Sequence, residues 1–214
     1  MKHVVTAAPT RQCVLVTGFG PFPGARTNPS ASILGQLRRH GARLQRLGIA
    51  LRCVLLPVVH DEIGPSLARA VAVHRPDAIL HLGLAGRRSK LSVETRAVNR
   101  VGPLHPDARG RLPPSQVLAR GAPPSLTATY EAARVLAAIR RQGLAASRSI
   151  DAGDYVCNTT LYRSLLAVAA PRIGFLHVPR VQRPDQPKAR TRNGKPTTEA
   201  LTRAVMAALL VMGR

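Results

Sequence analysis

Four short runs decide which architectures are open to this 214-residue chain. Residues 13–18 (CVLVTG), 52–57 (RCVLLP), 77–83 (DAILHLG) and 173–179 (IGFLHVP) are apolar on both faces. A strand with one wet face alternates polar and apolar residues, whereas a parallel strand covered on both sides does not. Helical patterns lie between these runs. Residues 29–40 open with Asn-Pro-Ser and place Ile33, Leu34 and Leu37 on one face. Residues 61–74 group Ile63, Leu67, Ala70 and Val71, and residues 129–142 group Ala133, Val135, Leu136 and Ile139 before Gly143, a natural terminator. Further helices are expected directly after Cys157 and over 198–212, and a less apolar strand over 147–153. Strands alternating with helices predict an α/β sandwich over a mostly parallel sheet. One domain over 12–214 is expected behind a flexible tail of residues 1–11. Residues 100–126 and 179–196 have no sustained period and are expected as loops.

The first strand runs into a loop rich in Gly and Pro, VTGFGPFPGARTNPS, which invites a nucleotide-binding reading. The glycines, Gly18, Gly20 and Gly24, are one residue too widely spaced for a dinucleotide fingerprint. Pro21 and Pro23 lack the N–H groups that a phosphate nest requires, and no Lys-Ser/Thr pair follows. The loop instead carries two of the chain's three phenylalanines, Phe19 and Phe22. They either plug the core beneath the loop or wall a small apolar pocket at the carboxyl edge of the sheet.

The formal net charge is +22, and 28 of the 32 basic residues are Arg. That charge implies nonspecific polyanion binding at low salt. The arginines are spread along the whole chain, and aromatics are only 3% of it, too few for a single-strand stacking platform. The three cysteines, Cys13, Cys53 and Cys157, form no CxxC and have no His at metal spacing, so no metal site is expected. Their odd number fits a reducing cytoplasm rather than a disulfide scaffold. The N-terminus lacks a signal-peptide pattern, and the apolar run from Met206 to Met212 is too short to cross a bilayer. A soluble cytoplasmic protein is expected.

Cys13 and Cys53 lie in strand-like runs, where a thiol is an inert hydrophobe. Cys157 follows DAGDYV and precedes a helical pattern, so a helix N-terminus is expected to favour its thiolate. A nucleophilic and an inert Cys157 both remain open on this evidence. His177 ends the strand that follows that helix, and a right-handed crossover would return it to the same sheet edge. His60 begins a helix and His81 lies within a strand. Glu94, in LSVETRAVN, is an acid in a basic stretch that either orients an imidazole or is simply solvated.

These residues together resemble the pyroglutamyl peptidase type I family of cysteine peptidases. VLVTGFGPFPGARTNPS, GLAGRRSKLSVETRAVN, AGDYVCNTTLY and GFLHVP are similar, in order and spacing, to that family's segments over about residues 13 to 180. The resemblance implies a three-layer α/β/α sandwich with a mostly parallel central sheet. It implies Cys157 as nucleophile, His177 as general base and acid, and Glu94 as the residue orienting His177. Phe19, Phe22, Tyr155 and Val156 would line a pocket for the pyroglutamyl ring, with Tyr155 in place of a family Phe. The implied partners are peptides with a blocked N-terminus and further copies of the chain, with no cofactor and no metal. Three departures stand out: Leu84 where the family usually has Gln, Arg87 for Gly, and Leu104 for a common Arg. The implied activity is removal of N-terminal pyroglutamate. The alternatives are the same triad with a shifted substrate, and a polyanion-binding protein on the same fold.

Overall fold

Alternate residues of the central strands part to opposite sides of one sheet, and helices cover both sides. The computed structural model describes residues 11–182 and 194–213. In chain order these form β1 (Gln12–Phe19), α1 (Pro29–Arg39), α2 (Gly41–Arg46), β2 (Ile49–Leu56), α3 (Ile63–His74), β3 (Ala78–Leu84) and β4 (Leu91–Glu94). There follow β5 (Arg96–Val98), β6 (Ser125–Thr127), α4 (Ala132–Arg140), β7 (Ala146–Ser149), α5 (Val156–Ala167), β8 (Arg172–Val178) and α6 (Thr198–Met212). The main sheet has the order β2-β1-β3-β8-β4-β7, while β5 and β6 pair separately. β2, β1, β3 and β8 are mutually parallel; β4 runs antiparallel to β8 and parallel to β7. The sheet is thus mostly parallel, and the fold is α/β as expected.

Side-chain parity divides the core. Val14 and Val16 of β1, Leu80 and Leu82 of β3 and Leu176 of β8 join residues of α1, α4 and α6. Leu15 and Phe19 of β1, Ile79 of β3 and Phe175 of β8 join residues of α3 and α5. Burying both faces of a strand forces apolar residues at successive positions, which is the pattern the sequence displays.

Several boundaries move for identifiable reasons. β2 is an edge strand, so Arg52 and Leu55 are exposed and burial on both faces fails there. α4 starts at Ala132 rather than 129, because Thr129 N–H donates to Ile173 O and Thr129 Oγ1 accepts from Ile173 N–H. That β8 contact holds the backbone out of the helix, and Ala133 consequently faces solvent while Val135 and Ile139 are buried. β7 stops at Ser149, and residues 150–155 form a loop. Residues 100–126 are irregular apart from the start of β6. The tail expected over 1–11 and the loop expected over 179–196 lie, for residues 1–10 and 183–193, outside the described residues. No helix among the described residues is long and apolar enough to cross a membrane.

Candidate active site

The Asn-Pro-Ser of the first loop is a fastener. Asn28 is the N-cap of α1, its Oδ1 accepting from Ser30 N–H, and Pro29 occupies the first helical position. Ser30 Oγ accepts from Phe19 N–H at 3.0 Å and lies 3.1 Å from Phe19 O, while Asn28 Nδ2 donates to Gly20 O. Phe22 and Ala25 exchange two backbone hydrogen bonds across a tight turn, with Gly24 at φ +86°. These bonds set the two phenylalanines at different depths. Phe19 is 1% exposed and part of the core; Phe22 is half-buried, with its ring 6.1 Å from that of Tyr155. Both line one cavity of about 590 Å³, so the core-plug and pocket-wall alternatives coexist in Phe19.

Cys157 lies in the first turn of α5, two residues beyond the Tyr155 N-cap. That end of α5 is tied down by Asn158, whose Oδ1 accepts from Val98 N–H and whose Nδ2 donates to Val98 O and Arg100 O. A Cβ on Gly83 of β3 would stand 2.8 Å from Cys157 Sγ and 2.7 Å from Phe175 Cζ. Only the absence of a side chain there lets the thiol approach the end of the sheet. α5 has no side-chain cap, which leaves backbone N–H groups of its first turn directed into the region of Cys157.

His177 is the penultimate residue of β8, paired in register with Gly83. Its Nδ1–H donates to Glu94 Oε1 at 2.9 Å. A carboxylate that accepts from Nδ1 leaves Nε2 unprotonated and free to take a proton. Glu94 is fully buried and therefore not the solvated acid of the alternative reading. Arg88 Nη1 donates to the same Oε1 at 2.6 Å, and Glu94 Oε2 has no hydrogen-bond partner among the described residues. Tyr130 clamps this corner: its hydroxyl lies 3.0 Å from Glu94 O and 3.2 Å from Phe175 O, and its ring occupies the space a side chain on Gly174 would need.

The expected parallel crossover is not what unites Cys157 and His177. β7 runs against β8, since it is parallel to β4, which is antiparallel to β8. Instead the chain reverses in the short 168–171 link after α5, and β8 carries it back to the edge where α5 began, bringing His177 level with Gly83.

The cavity is lined by Phe19, Phe22, Leu84, Tyr155, Val156 and both Cys157 and His177. Glu94 lies behind His177 and outside the lining. Leu104 is 81% exposed and away from the cavity, where His105 and Pro106 take its place. The hydroxyl that Tyr155 adds is spent on Pro106 O at 2.9 Å, and burial pushes its pKa up to about 12. Asp107 holds the segment beneath, accepting from the backbone N–H groups of Arg109 and Arg111 at 2.8 and 3.0 Å and of His60 at 3.3 Å. His60, placed by sequence at a helix start, sits in the turn before α3 with its ring against Tyr155.

One electrostatic expectation meets an opposing effect. Burial, reinforced by the Glu94 carboxylate and opposed by Arg88, pushes the Cys157 thiol up to about 12. That shift favours the neutral thiol at rest, against the amides of the helix N-terminus, which favour thiolate. Burial also raises Cys13, and Cys53 to about 11, so acidity does not distinguish the three. Position does: of the three, Cys157 alone lines the cavity beside an imidazole. Sequence reasoning missed Arg88 and Arg180 at this site. The signal for Arg88 was available, as a cation six residues before the acid in that stretch.

Comparison with known proteins places the whole fold in one family. The sequence profile of the pyroglutamyl peptidase family matches residues 12–213. The pyrrolidone-carboxylate peptidase of Gloeobacter violaceus is 36% identical over 169 residues, covering 78% of this chain and 80% of that protein. That of Streptococcus pyogenes serotype M5 is 31% identical over 202 residues, covering 91% of each. The crystal structure of Bacillus amyloliquefaciens pyroglutamyl peptidase I superposes with a TM-score of 0.83 at 28% identity, covering 95% of this chain and 97% of that one.

Proposed function

The chain belongs to the pyroglutamyl peptidase family of cysteine exopeptidases, and on that premise we propose that it removes N-terminal pyroglutamate (5-oxoproline) from peptides through Cys157, His177 and Glu94. The observation that carries the reading is the presence of Cys157 and a Glu94-held His177 in one cavity with Phe19 and Phe22. The lactam ring is uncharged, and the aromatic wall of Phe19, Phe22 and Tyr155, with Val156, suits it better than a charged slot.

Because the neutral thiol is favoured at rest, its proton passes to His177 Nε2 as Sγ attacks the carbonyl of the pyroglutamyl residue. Glu94 fixes the tautomer and steadies the imidazolium that forms. Backbone N–H groups of the first turn of α5 meet the oxyanion. The imidazolium then gives its proton to the leaving amine, and water, activated by His177, hydrolyses the thioester.

Release of a fluorogenic amine from a pyroglutamyl conjugate tests this. Turnover by the wild type is expected to fall about 1,000-fold or more in Cys157→Ser, since the intermediate and its activated nucleophile are lost together. Absence of Cys157-dependent turnover overturns the reading.

A second reading, a shifted substrate, is favoured by one observation: Leu84 puts an apolar, half-buried side chain on the cavity wall. A lactam offers an N–H and a C=O, and Leu answers neither. Leu84→Gln is expected to raise kcat/KM for pyroglutamyl substrates about three- to ten-fold, the worth of one recovered hydrogen bond. An unchanged value removes Leu84 from the account of specificity.

A further inference from the structure

The cavity carries positive charge that the proposed chemistry leaves unused. Arg87, Arg88 and Arg180 line it. Arg88 is committed, to Glu94 at 2.6 Å and to Asp151 O at 2.7 Å. Arg87 and Arg180 are exposed, and neither has an ion-pair partner among the described residues. Arg180 Nε donates to Gly86 O at 3.3 Å, and its guanidinium lies 3.1–3.4 Å from where a Cβ on Gly86 would stand. Gly86 therefore lets Arg180 fold across the end of β3 towards Arg87. Asp154, the one carboxylate in the lining, sits elsewhere: its side chain packs against Gly102, beside Tyr155.

Sheet order separates these cations from the aromatic wall. The loop bearing Phe22 follows β1, residues 85–88 follow β3, and Arg180 follows β8, with β3 between the other two strands. Cys157 Sγ lies over Gly83, near the end of the middle strand. A substrate whose lactam rests on Phe19 and Phe22, with its scissile carbonyl at Sγ, sends its leaving peptide towards the β8 side. His177, which must protonate the leaving amine, is on that side; Arg180 follows the same strand and reaches back to Gly86, next to Arg87.

We propose that Arg87 and Arg180 form a carboxylate subsite for the leaving peptide, so that substrates with Glu or Asp directly after pyroglutamate are preferred. The inference rests on the exopeptidase reading above. Guanidinium groups suit a carboxylate because each presents several N–H donors in a plane, and their exposure keeps each contact modest and sensitive to salt.

The test measures kcat/KM for three peptides that differ only in the second residue, Glu, Gln or Lys, by release of pyroglutamate. The expected order is Glu above Gln above Lys, with Glu over Gln about three- to ten-fold at low salt and less at high salt. Arg87→Gln combined with Arg180→Gln is expected to bring the Glu/Gln ratio close to one. Arg180→Lys, which keeps the charge, should retain most of the preference. Arg141→Gln, which removes a charge beyond α4 in the opposite helical layer, should retain it fully. Equal rates on the three peptides with turnover still dependent on Cys157 overturn the subsite and leave the exopeptidase reading intact. A preference that survives the double variant belongs to the +22 net charge and likewise overturns the subsite. No Cys157-dependent release from any of the three overturns both.

Discussion

His81 and His177 lie on neighbouring strands and both pack against Phe175, with ring centroids 6.0 and 4.7 Å from it. His81 is wholly buried, its Nδ1 2.7 Å from Thr17 Oγ1 and its Nε2 2.8 Å from Ser164 Oγ. Ser164 spends its own proton on Thr160 O, so it accepts from Nε2–H, and Nδ1 accepts from Thr17. His177 has the opposite tautomer, with Nδ1–H on Glu94 and Nε2 turned to the cavity side of the molecule. Hydroxyl partners give His81 no counter-charge, and burial lowers its pKa to about 3. Glu94 provides His177 with one. The same residue type thus serves as a neutral strut between β1, β3 and α5 in one place and, in the proposed mechanism, as a proton carrier in the other, according to the charge of what it faces.

That contrast is open to direct attack. The largest effect is expected from His177→Ala, with a loss of about 1,000-fold or more in kcat from removing the general base. Retention of more than a tenth of the activity would break the contrast outright. Glu94→Gln, which keeps the shape and removes the charge, is expected to lower kcat about 100-fold and leave KM nearly unchanged, since its proposed role is to hold one tautomer and stabilise the imidazolium. A change confined to KM would make Glu94 part of substrate binding instead.

His81→Gln is expected to change kcat/KM by no more than about three-fold while costing about 1–3 kcal/mol of stability at pH 7 from the lost buried hydrogen bonds. Its pH dependence sharpens the comparison further. A histidine whose folded pKa is depressed leaves stability intact above its unfolded value and erodes it as pH falls towards the folded one. For His81 the window runs from about 6.5 down to about 3. Protonation of the unfolded chain alone then withdraws about 3 kcal/mol by pH 4. Urea unfolding at pH 7 and pH 4 should show the gap between wild type and His81→Gln closing or reversing. Parallel pH profiles would mean that His81 is not held neutral.

Much of this site was legible before the fold was known. Cys157 was marked by its place before a helical pattern, His177 by its place at a strand end, and Glu94 by being an acid in basic surroundings. Such signals are local, because helix starts and strand ends follow from patterns of a few residues. What stayed hidden was relational. Arg88 shares Glu94 Oε1 with His177, Asn158 pins the start of α5 to residues 98–100, and Tyr130 ties Glu94 to Phe175. None of these pairs is close in sequence except Arg88 and Glu94. The direction of β4 and β7 was hidden for the same reason, since strands as short as theirs carry too few residues to reveal a partner or a sense.

The apolar runs and the helical periods between them were enough to determine a covered, mostly parallel sheet. The prolines of the first loop were enough to exclude a phosphate nest. Those outcomes depend on local backbone chemistry and on the requirement that apolar faces be buried. Only the tertiary structure decided that Phe19 is both core and wall, that the Tyr155 hydroxyl is spent on Pro106, and that Arg87 and Arg180 line one cavity. It also pushes the Cys157 thiol up to about 12, because the cost of charging a sulfur depends on how much water and which charges surround it. That is a property of the packed chain, not of the residues flanking Cys157.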